Sequence, residues 1–223
     1  MNKKRFLTFA VAIMFLALVP VVAGASTITF TSAPVSAYGF GVGLYYGTVD
    51  GVDALFVCDD FFTDIGGGQS WHANDGVTDP SSPTNMFTGA GAFLPFPISG
   101  TLTTQQDYNM LGFLADKIFA DPTDAGGQWG VDSFAIWSLN DSAAYTSYAQ
   151  SQGIGGAVSS LLSSAYANKN NPTDLTVYTP DPWNTGQEFL SPAVATPEPP
   201  GFSLMFIGAA CIVAGKFRHK RIS

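Results

Sequence analysis

The sequence predicts an α+β domain, an antiparallel sheet with several helices in one exported unit, flanked by an N-terminal signal peptide and a C-terminal single transmembrane helix. Three observations predict the domain. Asp50-Gly51 separates two β-rich runs, the pattern of a tight hairpin. Thr103 and Gln106 form a capping box ahead of a run with helical spacing. Strand character then returns in "DLTVYT" and "QEFL". Strands, helices and strands again in that order point to helices laid on an antiparallel sheet.

The elements follow along the chain. "MNKKRFLTFAVAIMFLALVPVVAGAS" has a basic start, an apolar run from Phe6 to Val19, and Ala23-Gly24-Ala25 in the small-residue pattern of a signal peptidase site, so residues 1–25 read as a cleaved export signal. The globular domain occupies residues 26–190. "TITF" opens it as a strand, and the hairpin pairs Leu44 to Val49 with Val52 to Cys58. In the second hairpin strand Ala54, Phe56 and Cys58 point one way, Leu55 and Val57 the other. With both faces apolar, that strand is central. Gly, Pro, Ser and Asn accumulate from Gly66 to Gly100, with "QSWHA" as a short strand among loops.

Tyr108, Leu111, Ala115 and Ile118 then follow helical spacing until Asp121-Pro122 stops the run. Phe134 and Trp137 in "VDSFAIWSLN" and the stripe Val158, Leu161, Leu162, Ala165, Tyr166 give two further helices with core-facing sides. Residues 191–200 form an extended linker, and residues 201–223 the spanning helix with a basic cytoplasmic tail. No internal repeat is evident.

Charge is segregated. Seven of the nine Lys and Arg residues lie in the two ends, leaving Lys117 and Lys169 against sixteen acids between Ser26 and Thr196, a formal charge of −14. Such a surface repels phosphodiester backbones and anionic lipid, which excludes nucleic acid as a partner.

Catalytic signals are sparse. A Ser-His-Asp hydrolase would have to use His72, the one histidine between the ends, and no G-x-S-x-G elbow accompanies any serine. Gly66-Gly67-Gly68 lacks the Lys-Ser/Thr of a phosphate loop. Asp59, Asp60 and Asp64 after the central strand, Asp75 and Asp79 in the loop, and Asp121 and Asp124 about a turn offer hard oxygens to Ca²⁺; the competing reading is a solvated acidic surface. No other cofactor or metal is expected. Cys58 is an unusual thiol in an exported protein, since Cys211 sits in the tail and is lost as a disulfide partner if the tail leaves; it also reads as a small buried hydrophobe at a strand end. Tyr45, Tyr46, Trp71 and Trp183 are the aromatics available for a carbohydrate surface.

The tail carries the more specific signal. Phe202 to Gly215 is uncharged and mostly apolar, and fourteen helical residues span about 21 Å, short of a roughly 30 Å hydrocarbon core. Lys216, Arg218, Lys220 and Arg221 follow it as a stop-transfer cluster, and Pro197-Glu198-Pro199-Pro200 precedes it as extended, protease-accessible backbone. "TPEPPGFSLMFIGAACIVAGKFRHKR" resembles the PEP-CTERM sorting signal of Gram-negative bacteria, also catalogued as the ice-binding protein C-terminal domain, over about residues 196 to 221. The resemblance implies recognition of Pro197, Glu198 and Pro199 by an exosortase, a membrane-embedded cysteine protease, in organisms that make exopolysaccharide. Cys211 and the scarcity of leucine depart from the pattern.

A second resemblance lies in the middle. "VCDDF" with "FAIW" is similar to the pair in thioester domains of bacterial surface adhesins, where a cysteine beside a strand is linked to the glutamine of T-Q-x-A, covering about residues 44 to 140. The position two before Ala135 is Ser133, which has no carboxamide, and Gln128 lies five residues earlier, about 140° around a helix. The resemblance therefore guides the fold, and no crosslink is expected.

Together these readings predict a non-enzymatic, exosortase-processed protein of the outer surface or extracellular matrix, associated with exopolysaccharide in a biofilm. Signal peptidase and exosortase are its processing partners, and the inner membrane a transient one. The alternatives are a secreted hydrolase using His72 and a Ca²⁺-stabilised adhesin.

Overall fold

A computed structural model describes residues 25–61, 63–77, 102–124, 127–141, 143–182 and 185–192. Six strands carry it: β1 (Ser26–Ser32), β4 (Leu44–Val49), β5 (Val52–Cys58), β6 (Ser70–Val77), β7 (Leu175–Pro180) and β8 (Phe189–Pro192). They pair antiparallel in the order β1-β4-β5-β8-β7-β6, with β6 returning to β1. The expected α+β sheet is therefore corrected to a closed six-stranded antiparallel barrel. Two pairings make the difference. β8 bridges β5 and β7, and β6 bridges β7 and β1, so every barrel strand has a neighbour on each side and no barrel edge is left open.

The Asp50-Gly51 hairpin forms as the sequence indicates. Leu44↔Val57 through Val49↔Val52 are in register, and both turn residues take positive φ, 51° and 80°, as a type I′ turn requires. A smaller hairpin that the sequence reading missed, β2 (Val35–Ala37) with β3 (Phe40–Val42), turns at Tyr38-Gly39 with φ of 56° and 89°. All of "QSWHA" but Gln69 falls in an eight-residue barrel strand, β6, which runs on to Val77.

Apolar alternation along the strands builds two cores. Ile28, Phe30, Tyr45, Phe56, Cys58, Trp71, Ala73, Tyr178 and Phe189 fill the barrel, with Phe56 and Phe189 stacked at 5.0 Å. Leu44, Val57, Leu175, Val177 and Leu190 face outward and are covered by helices. Those helices are α1 (Thr104–Ala120), α2 (Trp129–Asn140) and α3 (Gly155–Ala167), with a π-helical segment Ala144–Ala149 between the last two. Both apolar faces of β5 are thus explained, although its backbone ladder with β8 runs only through Val57 and Cys58. Farther along, Leu55 is 37% exposed.

α2 is the central helix, buried from Trp129 to Leu139. Each large apolar side chain it withdraws from water contributes about 1.5–3 kcal/mol before conformational entropy is set against it. Its Phe134 and Trp137 meet at 5.1 Å and join Phe40, Phe61 and Tyr148 in an aromatic cluster that docks the β2–β3 hairpin. Among the described residues no helix is long and apolar enough to cross a membrane. Residues 201–223, to which a spanning helix was assigned, lie outside the described residues, as do the export signal up to Gly24 and the linker from Ala193.

Candidate functional site

Where β5 ends, the chain turns inward with three polar residues in a row. Cys58, Asp59 and Asp60 are 1%, 0% and 2% exposed, and Glu188, just before β8, is 0% exposed. A carboxylate taken from water without a cation is costly, so such groups must be hydrogen-bonded or protonated. Glu188 is bonded at both oxygens: Tyr108 Oη of α1 donates to Oε1 at 2.8 Å, and Thr179 Oγ1 of β7 donates to Oε2. Neither oxygen of Asp59 receives a donor from another residue. Asp59 meets the Glu188 carboxyl instead. Burial first, then the Glu188 charge and the hydrogen bond shared with it, then Asp60, push Asp59 well above the ordinary carboxylate range.

The surroundings fix this seam. Asn140 Nδ2 donates to Asp59 O at 3.4 Å, Trp137 Nε1 to Cys58 O at 3.0 Å, and Cys58 Sγ to Asp60 O at 3.0 Å. Gln187 Nε2 donates to Thr63 O, and Thr63 N to Asp60 Oδ1 at 3.3 Å. Burial, followed by the charges of Asp60 and Asp59, pushes the Cys58 thiol well up. Nucleophilic sulfur chemistry needs the thiolate, so Cys58 is a free, buried and unreactive thiol, filling space as a small hydrophobe at the strand end does.

The sequence-derived candidates separate in the fold. Asp59 and Asp60 are buried while Asp64 is exposed, and among the described residues no group of three or more His, Cys, Asp or Glu is placed to hold a metal ion. Asp124 Oδ1 accepts the Trp129 backbone N–H at 3.0 Å, and Asp121 Oδ1 accepts the Thr123 hydroxyl, so both acids shape the turn before α2. His72 is exposed on the outer face of β6, with Nδ1 3.4 Å from Thr27 Oγ1, while the nearby Ser70 hydroxyl pairs with Thr29 at 2.8 Å. Tyr45 and Trp71 are core residues, 6% and 5% exposed, whereas Tyr46 is 39% exposed. Tyr38 and Tyr148, not singled out in the sequence, are exposed as well.

The two halves of the thioester-like pair do come together through the Trp137 to Cys58 bond. Ser133 Oγ, at the glutamine's place in that motif, accepts the Gly43 backbone N–H at 2.9 Å. Ala25 is exposed and directly precedes β1. Ala23, Trp183, Asp79, Pro197, Glu198, Pro199, Lys216, Arg218, Lys220 and Arg221 lie outside the described residues.

Sequence reasoning noticed Cys58, Asp59 and Asp60 but missed Glu188, Tyr108 and Thr179. The one available signal was that Glu188 is the only glutamate between Ser26 and Thr196, set in the strand-like "QEFL".

No family model matches the chain, and no curated protein matches it. Among solved structures, the N-terminal thioester domain of fibronectin-binding protein SfbI from Streptococcus pyogenes superposes with a TM-score of 0.46 at 13% identity, covering 80% of this chain and 97% of that one. The similarity is one of outline, and the functional reading rests on this chain's own residues.

Proposed function

We propose that this is an exported, non-enzymatic protein of the outer surface or extracellular matrix, set free by exosortase-type cleavage near Pro197, Glu198 and Pro199. The observation that carries the reading is the distribution of charge: seven of nine basic residues flank the two apolar end segments, and the stretch between them is strongly acidic. In this reading the export signal threads the chain out and the apolar tail retains it at the inner membrane. Cleavage then frees the acidic domain for display among exopolysaccharide. The described domain suits a display role, since a closed barrel presents no unpaired barrel edge for runaway strand addition. Its thiol and paired acids are buried away from any substrate, which favours a non-enzymatic role.

The mass of the protein recovered from the culture medium tests this. The expected species begins just after Ala25 and ends before Phe202. An extracellular form that still carries Arg221 would overturn the proposal.

A further inference from the structure

We propose that Asp59 and Glu188 form a proton-held latch on the strand that closes the barrel, shut while the two carboxyls share one proton and loosened as pH rises. The backbone register sets the geometry. β5 and β8 share backbone register only at Val57↔Leu190 and Cys58↔Phe189, with Ser191 Oγ also donating to Leu55 O at 2.9 Å, whereas β4 and β5 pair along the whole of both strands. The next antiparallel positions after Cys58↔Phe189 are Asp59 and Glu188, so a side-chain bond continues the seam where the backbone ladder stops. This is the shortest seam of the barrel, and without β8 the sheet is open between β5 and β7.

The proton's place follows from the donors. Glu188 accepts hydroxyls at both oxygens, which suits its carboxylate form, and Asp59 receives no hydroxyl or other side-chain donor, which suits a protonated carboxyl donating to Glu188. The groups facing the pair are Cys58 and Asp60 from the end of β5, Tyr108 from α1, Thr179 from β7, Trp137 and Asn140 from α2, and Gln187 beside Glu188. None supplies positive charge. The basic side chains between Ser26 and Thr196 are Lys117, over the Phe113 ring at 5.1 Å, Lys169, over Tyr166 at 3.8 Å, and the exposed His72. Removing the proton would leave two like charges in a seam that water does not reach.

The sign follows from linkage. The closed seam binds a proton that the opened, hydrated carboxyls release near the ordinary value of about 4. Closure is therefore strongest near pH 4, where the opened pair also holds about one proton, and it weakens about tenfold per pH unit as pH rises from about 5 toward the raised closed-state value.

Hydrogen exchange on the full chain tests the latch. After correction for the intrinsic pH dependence of exchange, protection of peptides covering Gln187–Pro192 should fall about tenfold per pH unit from about pH 5 upwards. Peptides covering Leu44–Val49 should not change. In Asp59→Asn the carboxamide keeps a donor toward Glu188 but cannot titrate, so the β8 profile should be flat; Glu188→Gln, the second variant, leaves Asp59 raised by burial without the Glu188 charge, so its fall in protection should level off at a lower pH than in the wild type. A flat wild-type profile overturns the proposal, as does an unchanged wild-type profile in whichever variant folds. Where neither variant folds, the wild-type chain decides. An infrared band of a protonated carboxyl that disappears over the pH range in which β8 loses protection supports the latch, and a band that does not follow that loss overturns it.

Discussion

Trp137 donates its indole N–H to the carbonyl of Cys58 at 3.0 Å, tying the last turn of α2 to the end of β5 across 79 residues of sequence. Both residues are buried, and the carbonyl lies where β5 leaves the barrel ladder. In Trp137→Phe the benzyl ring keeps much of the packing against Phe40, Phe61 and Phe134 but brings no donor. A buried acceptor left without its partner costs about 1–3 kcal/mol, and the lost ring volume adds to that. Urea unfolding should therefore show a loss of about 2–4 kcal/mol. A loss below about 0.5 kcal/mol would mean that the bond is incidental to helix docking.

The capping box at the start of α1 makes a two-variant prediction. Thr103 Oγ1 accepts the Gln106 backbone N–H at 3.2 Å, and Gln106 Oε1 accepts the Thr103 backbone N–H at 3.0 Å. Thr103→Ala removes the cap and should cost about 1 kcal/mol, while Thr103→Gly should cost only a few tenths. Equal losses in denaturant titrations would place the stabilisation in the threonine methyl's packing instead of its hydroxyl.

What could be read before the fold was seen divides along physical lines. Local chemistry was legible: the positive-φ turn at Asp50-Gly51, the Thr103 cap and the spacing of Tyr108, Leu111, Ala115 and Ile118 each depend on neighbours a few residues away. Closure of the barrel was not, because it depends on pairings such as Cys58↔Phe189 that no local pattern encodes. β6 was read short because Asn74, Asp75 and Gly76 disfavour strands, and pairing on both sides overrides that preference. In the site, the burial of Cys58 is legible from its place at the end of an apolar strand, but Asp59 and Asp60, grouped with Asp64 as surface or Ca²⁺-binding acids, are buried as well. Only the distant Glu188, with hydroxyls from α1 and β7, turns a would-be surface patch into an interior seam.

Two glycines should respond to alanine with opposite signs. At Gly47, in β4, an added Cβ would lie 2.2 Å from Thr29 O of β1 and 3.1 Å from the Phe56 ring, so the β1–β4 pairing must give way. Overpacking of that kind costs about 1–3 kcal/mol. At Gly156, near the start of α3, an added Cβ meets nothing within 4 Å, and a better helix former should gain up to about 0.5–1 kcal/mol. Thermal melts of Gly47→Ala and Gly156→Ala should therefore move in opposite directions, and a neutral Gly47→Ala would show that the two strands can part without cost.

Asp107 gives the domain a second pH dependence, separable from the β8 seam by its place on α1 and by its own variant. It lies buried in the first turn of α1, its Oδ1 has no hydrogen-bond partner, and burial raises its pKa to about 7. A negative charge near a helix N-terminus is favourable, but the upward direction shows that desolvation wins here. Because the folded value lies above the unfolded one, the stabilisation is complete below about pH 4 and is lost progressively up to about pH 7. Asp132 on α2, raised to about 6 mainly by burial and opposed by Lys117, acts in the same direction. Asp107→Asn cannot titrate and should escape its share of the loss, about 1 kcal/mol once solvent screening is allowed for. At pH 7.5 the variant should melt about 2–4 °C above the wild type, and at pH 4 the two should agree within about 1 °C. Calorimetry at the two pH values separates titration from packing, since an equal offset at both would mean that the carboxyl's shape, and not its proton, sets the difference.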